Sequence, residues 1–322
     1  MRTVPKHLSR LLTVVLLLLG LVTAAGAQAH ATPQRLTGSA TICGNSPIPT
    51  GWVVTNSYSS SSCAGSGVAY TITDTSDLTS LSTVCSMSPI PTGWVITGSY
   101  NAGGCQGTGV AYSLVKITTQ STIVICSMSP IPQGWVISNA YNSGGCAGTG
   151  VAYTIASVAN LSSVTACSQS PIPAGWVISN AYNSGGCAGT GVAYTLVRIT
   201  TQTSLTVCSQ SPIPPGWVIT NAYNNSGCAG TGVAYTILST ANQTSVTVCS
   251  QSPLPQGWVI TSAYNNSGCA GTGVAYTLVR ITTQTSLTVC SQSPIPAGWV
   301  VSGSFNSSSC AGTGVAYSIR KA

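Results

Sequence analysis

The chain has almost no charge. Its 322 residues carry nine Lys or Arg, two acids (Asp74 and Asp77) and two His. Past residue 30 six bases (Arg35, Lys116, Arg198, Arg280, Arg320 and Lys321) stand against those two acids, a net of +4. Phosphate neutralisation needs a continuous basic stripe, which such spacing cannot build, so nucleic acid is excluded as a partner. Acid–base catalysis lacks parts too. There is no Glu, both acids share one connector, and after residue 29 the only His is His30. Serines abound, but no base recurs beside them to activate one, so no catalytic residue and no enzyme is expected. Zinc would need Cys-x-x-Cys or a neighbouring His, and neither occurs, so no metal or cofactor site is expected. A Gly-x-Gly precedes each Val-Ala-Tyr, yet no helical pattern follows it to receive a phosphate. Helical periodicity is missing throughout the repeats.

Only one long apolar run exists, and it opens the chain. Arg2, Lys6 and Arg10 form a basic region, Leu11 to Val22 an apolar one, and Ala24 to Ala29 offer small-residue cleavage sites. Residues 1–29 read as a signal peptide and 30–40 as a short lead-in. The run is too short for a retained anchor, and no later stretch could span a bilayer as a helix. A secreted, extracellular chain is expected, where an even number of cysteines forms disulfides.

The remainder is a tandem array. Its unit reads Cys-x-x-Ser-Pro-Ile-Pro-x-Gly-Trp-Val, a strand-like stretch, then a second Cys and Gly-x-Gly-Val-Ala-Tyr. Opening cysteines fall at Cys43, Cys85, Cys126, Cys167, Cys208, Cys249 and Cys290; closing ones at Cys63, Cys105, Cys146, Cys187, Cys228, Cys269 and Cys310. The repeats are set at 41–83, 84–124, 125–165, 166–206, 207–247, 248–288 and 289–322, the last truncated. Pairing each opening Cys with the closing Cys of its own unit leaves no orphan. Pairing each closing Cys with the next opening one strands Cys43 and Cys310 unless the array closes on itself. Pairing within units is therefore expected, each staple closing a loop of about 20 residues and contributing about 3 kcal/mol. A unit near 40 residues is at the size where a core alone is marginal.

In the fourth copy Trp176–Tyr182 is a strand candidate, β-branched and aromatic and bounded by glycine. Period two would align Trp176, Ile178, Asn180 and Tyr182 on one face and Val177, Ser179 and Ala181 on the other. Val192–Val197 is the second strand and Ser204–Cys208 the third. The Ser-Pro-Ile-Pro-x-Gly segment reads as a rigid turn. The fold expected is all-β: seven tandem disulfide-stapled repeats of about three short antiparallel strands each, with a closed seven-bladed propeller-like ring as the alternative to an open array. The period is in fact doubled. Copies two, four and six carry Lys116, Arg198 and Arg280, and residues 192–214 and 274–296 are identical. Seven is odd, so strict alternation cannot run round a ring without a seam, which favours the open array.

The seven tryptophans, Trp52, Trp94, Trp135, Trp176, Trp217, Trp258 and Trp299, are either core plugs or candidate ligand-binding platforms. Exposed rings flanked by Asn, Gly and Tyr would suit sugars, with many weak sites acting together. Lys116, Arg198 and Arg280 read as edge-strand charges that discourage sheet-to-sheet pairing, or as a ligand row. Threonine-rich connectors such as Ile199–Thr206 lack the strict alternation of a flat water-ordering array. The functional expectation is a secreted, non-enzymatic, structural or adhesive protein at or outside the cell surface. Its runner-up is a multivalent carbohydrate-binding protein. The expected partners are polysaccharide or cell-surface glycan, together with self-association, which so few charges would do little to oppose.

Overall fold

Each unit folds from its turns outward. At Pro173-Ala174-Gly175-Trp176 the Trp176 N–H donates to the Pro173 carbonyl at 3.1 Å, and Gly175 takes φ +80°, a value that suits glycine. That turn launches the Trp strand, Trp176–Asn183, which ends in a loop closed by Gly191 N–H donating to Cys187 O at 2.8 Å. The loop feeds the central strand, Val192–Arg198. A lead strand, Ser163–Cys167, completes an antiparallel sheet in the order lead, central, Trp. A computed structural model describes residues 38–322, and over them this sheet recurs seven times with no helix. The expected signal peptide and most of the lead-in lie outside the described residues.

The all-β array of stapled three-stranded units is as the sequence implied. Each disulfide joins the two cysteines of one unit, Cys167 to Cys187 in the fourth, with Cα atoms 5.3 Å apart, and no cysteine is free. The array is open: strands of different units meet only between neighbours, and none of the last unit meets the first. The strand ending at each opening Cys pairs in the sheet that follows. Unit five thus begins with Ser204–Cys208, which straddles the sequence boundary at 206/207.

The expected faces of the Trp strand need correction. A β-bulge between Ile178 and Asn180 breaks the register with the central strand, and every unit repeats it. Before the bulge Trp176, Val177 and Ile178 are all buried. After it Ala181 is buried and Tyr182 points to solvent. The extra residue resets the alternation, so Tyr182 does not share the buried side of Trp176.

The core lies between units more than within them. One cluster joins Val136 of unit three, Trp176, Ile178 and Leu196 of unit four, and Cys208, Cys228 and Ala234 of unit five. Apolar side chains therefore run unbroken from sheet to sheet, as in solenoids whose repeats cannot bury their surfaces alone. Polar contacts set the register of this stacking. Ile137 N–H donates to Ser170 Oγ of the next unit at 2.9 Å, and Ser170 Oγ in turn reaches the carbonyl of Pro171 at 3.1 Å. The Ala140 N–H donates to Gly186 O at 2.8 Å and the Ala140 carbonyl accepts from Ala188 N–H at 3.0 Å, a short parallel bridge.

Candidate functional site

Two repeated surfaces carry side chains that could meet a ligand. The first is a groove at the junction of an odd unit with the following even one. Between units five and six it has a volume of about 500 Å³ and runs between two proline turns, Ile213–Trp217 and Pro253–Trp258, with Thr240 and Arg280 at its sides. Between units one and two the counterpart of about 480 Å³ is framed by Ile48–Trp52, Pro89–Thr92, Thr75 and Lys116. Two rigid turns, held apart by the stacking of their units, give such a groove apolar walls with one cation.

The bases lie elsewhere than an edge. Lys116, Arg198 and Arg280 end central strands, so the edge-strand reading is corrected. Arg198 stands opposite Trp176 in the strand register, and its Nη1 donates back to Ala159 O of unit three at 3.4 Å; Arg280 makes the same contact to Ala241 O at 3.5 Å. Units one, three and five place Asp74, Ser157 and Ser239 opposite Trp instead, while unit seven places Lys321 there. The tryptophans register the difference: Trp94, Trp176 and Trp258 are 2–3 % exposed, Trp52, Trp135 and Trp217 7–8 %. A long basic side chain across the strand pair accounts for the tighter cover. The doubled sequence period is thus an alternation, over units one to six, in how tightly each Trp is covered.

These six tryptophans are buried, and only an edge of each borders solvent. Trp299 of the last unit is half-buried. The aromatic rings that do face outward are ones that strict alternation would align with Trp: Tyr58, Tyr100, Tyr141, Tyr182 and Tyr264 at 37–39 % exposure, with Tyr223 half-buried and Phe305 exposed. They form the second surface, one ring per unit, each followed by Asn or, after Tyr58, by Ser. The Tyr100 hydroxyl donates to Ser82 O at 2.7 Å and lies 2.9 Å from Thr83 Oγ1, so its ring is held by the lead strand of its own sheet. The bulge turns this row outward, and a pattern search for strict alternation could not find it.

One of the two acids is occupied locally. Asp74 accepts from Ser76 N–H and Ser76 Oγ, both at 3.0 Å, which fixes the first connector as a turn. All fourteen cysteines are disulfide-bonded, so none is a thiolate nucleophile or metal ligand. Seven disulfides mark an oxidising environment. No protein-family model, curated protein or solved structure matches the chain.

Proposed function

We propose that this chain is a secreted, non-enzymatic structural or adhesive module acting at or outside the cell surface. The observation that carries the reading is the unbroken apolar core from unit to unit, together with a staple in every unit. Local cross-links and nearest-neighbour packing suit an element that must persist outside the cell, where unfolding invites proteolysis. The scarcity of acids, with Asp74 held in a turn, supports the non-enzymatic reading. Beads coated with the purified protein should bind to cells or to each other more than uncoated beads do. Hydrolytic activity abolished by one point substitution would overturn the reading.

The outward row of Tyr58, Tyr100, Tyr141, Tyr182 and Tyr264 favours a second reading, multivalent binding of neutral glycans. Half-exposed rings beside Asn side chains combine an apolar platform with amide hydrogen bonds, and weak contacts at several units would add by avidity. Glycan-array binding that falls stepwise as Tyr141, Tyr182 and Tyr264 are changed to Ala, with the fold intact, supports it. Binding that survives all three substitutions removes the row from consideration.

A further inference from the structure

The Trp strand of unit seven, Trp299–Asn306, repeats a pattern that is buried six times elsewhere, yet among the described residues no unit covers it. Val300 is 41 % exposed and Val301 46 %, whereas the equivalent Val177 and Ile178 are 0 % and 1 %. At the other end of the array Ile42 and Cys43 are half-buried, while their equivalents in the six later units are fully buried. These two surfaces are the complementary halves of a junction that the molecule already builds six times.

The polar groups match in the same way. At the junction of units six and seven, Ile260 N–H donates to Ser293 Oγ at 2.9 Å. Ala263 N–H donates to Ser309 O at 2.8 Å and the Ala263 carbonyl accepts from Ala311 N–H at 2.9 Å. The corresponding groups of unit seven are the Val301 N–H and the N–H and carbonyl of Ser304, which have no such neighbour among the described residues. The corresponding groups of unit one are Ser46 Oγ, Ser62 O and Ala64 N–H, equally unclaimed by a preceding unit. Edge backbone groups left in this state are a template for another chain.

A steric code decides which surfaces fit. The residue after the bulge points at the residue before the closing Cys of the next unit. Where it is Asn, its partner is Gly: an added Cβ would lie 2.8 Å from Asn56 Oδ1 at Gly104, 3.0 Å from Asn139 at Gly186, 2.9 Å from Asn180 at Gly227 and 3.0 Å from Asn221 at Gly268. Where the partner is Ser309, the facing residue is the shorter Ser262, whose Oγ donates to Ser309 O at 3.1 Å. Unit one carries Ser62 at the partner position, where a facing Asn would have to turn its amide aside. Unit seven carries Gly303 just after the bulge, leaving room for it.

We infer that unit seven of one molecule docks on unit one of a second copy of this chain, continuing the array head to tail. Because the two surfaces differ, the contact does not close on itself and yields chains of molecules rather than a symmetric dimer. This association stands whether or not the aromatic row binds a glycan.

Sedimentation velocity on the exported, oxidised protein over a concentration series tests it. Species should lengthen progressively with concentration. Gly303→Asn installs the residue that units one, three, four and five already tolerate, so the fold should hold while association weakens. Adding Ser62→Gly to Gly303→Asn removes the clash and should restore it. Excess Val301→Asp protein, whose unit one is intact, should cap wild-type chains and shorten them. A protein that stays monomeric throughout, as it would if its own N-terminal segment covered either face, overturns the inference. So does association indifferent to Gly303→Asn, or a dimer that excess Val301→Asp leaves unchanged, which would indicate tail-to-tail pairing.

Discussion

The Trp strands of units four and seven share their pattern and four of eight residues, Trp-Val-Ile-Ser-Asn-Ala-Tyr-Asn against Trp-Val-Val-Ser-Gly-Ser-Phe-Asn. They share turn, bulge and register with a central strand. In unit four the first three residues are buried; in unit seven none of them is. Local structure is therefore written into the unit, while burial is conferred by the following unit. A unit in the middle of the array draws its stability from two junctions and a terminal one from a single junction, so the energetics should follow position rather than sequence.

The sharpest test compares equivalent truncations, in solutions dilute enough to keep the protein monomeric. Ile178→Ala empties a fully covered site and should cost about 2–5 kcal/mol. Val301→Ala at the matching exposed site should stay within about 0.5 kcal/mol. Hydrogen exchange resolved by unit would read both, and equal costs would break the comparison. Replacing Cys167 and Cys187 together by Ser should remove about 3 kcal/mol, with protection lost first in unit four and its neighbours rather than in units one and seven. Uniform collapse of all seven units would mean that cooperativity spans the whole array.

A smaller difference is expected from the serine that precedes each Pro-Ile-Pro. Ser170→Ala leaves the buried Ile137 N–H without an acceptor and should cost about 1–3 kcal/mol. Ser46→Ala, which lacks a donor from a preceding unit, should change little. Smallest of all, Tyr182→Ala should shift stability by no more than about 0.5 kcal/mol, because its ring already faces water. A large loss there would place the outward row in the structural framework rather than at a ligand surface.

Much of the architecture was legible in the residues. Cysteine spacing implied the pairing within units, because only that scheme left Cys43 and Cys310 partnered in an open chain. Prolines and glycines implied the turns. The side of each strand facing the core was less accessible, since a bulge at Ser179 has no marker in a run of residues that all suit strands. Lys116, Arg198 and Arg280 looked like edge charges because the strand last in the unit's sequence sits in the middle of its sheet, an ordering that local pattern does not carry. Ser170 and its equivalents read as loop residues beside proline, and their role depends on a backbone N–H 33 positions earlier.

The pairing of Asn with Gly across junctions also limits how such a gene can change length. Recombination between near-identical copies can remove or add units wherever the new neighbours still set Asn, or Gly, over Gly. Loss of unit three would place Gly98 over Gly186, and loss of unit four would place Asn139 over Gly227, both permitted. Loss of unit six alone would bring Asn221 against Ser309, with a side chain where Gly268 now leaves space. Deletion of unit six alone is therefore the interior loss that sets Asn against a side chain, and it should be rarer than loss of any of units two to five.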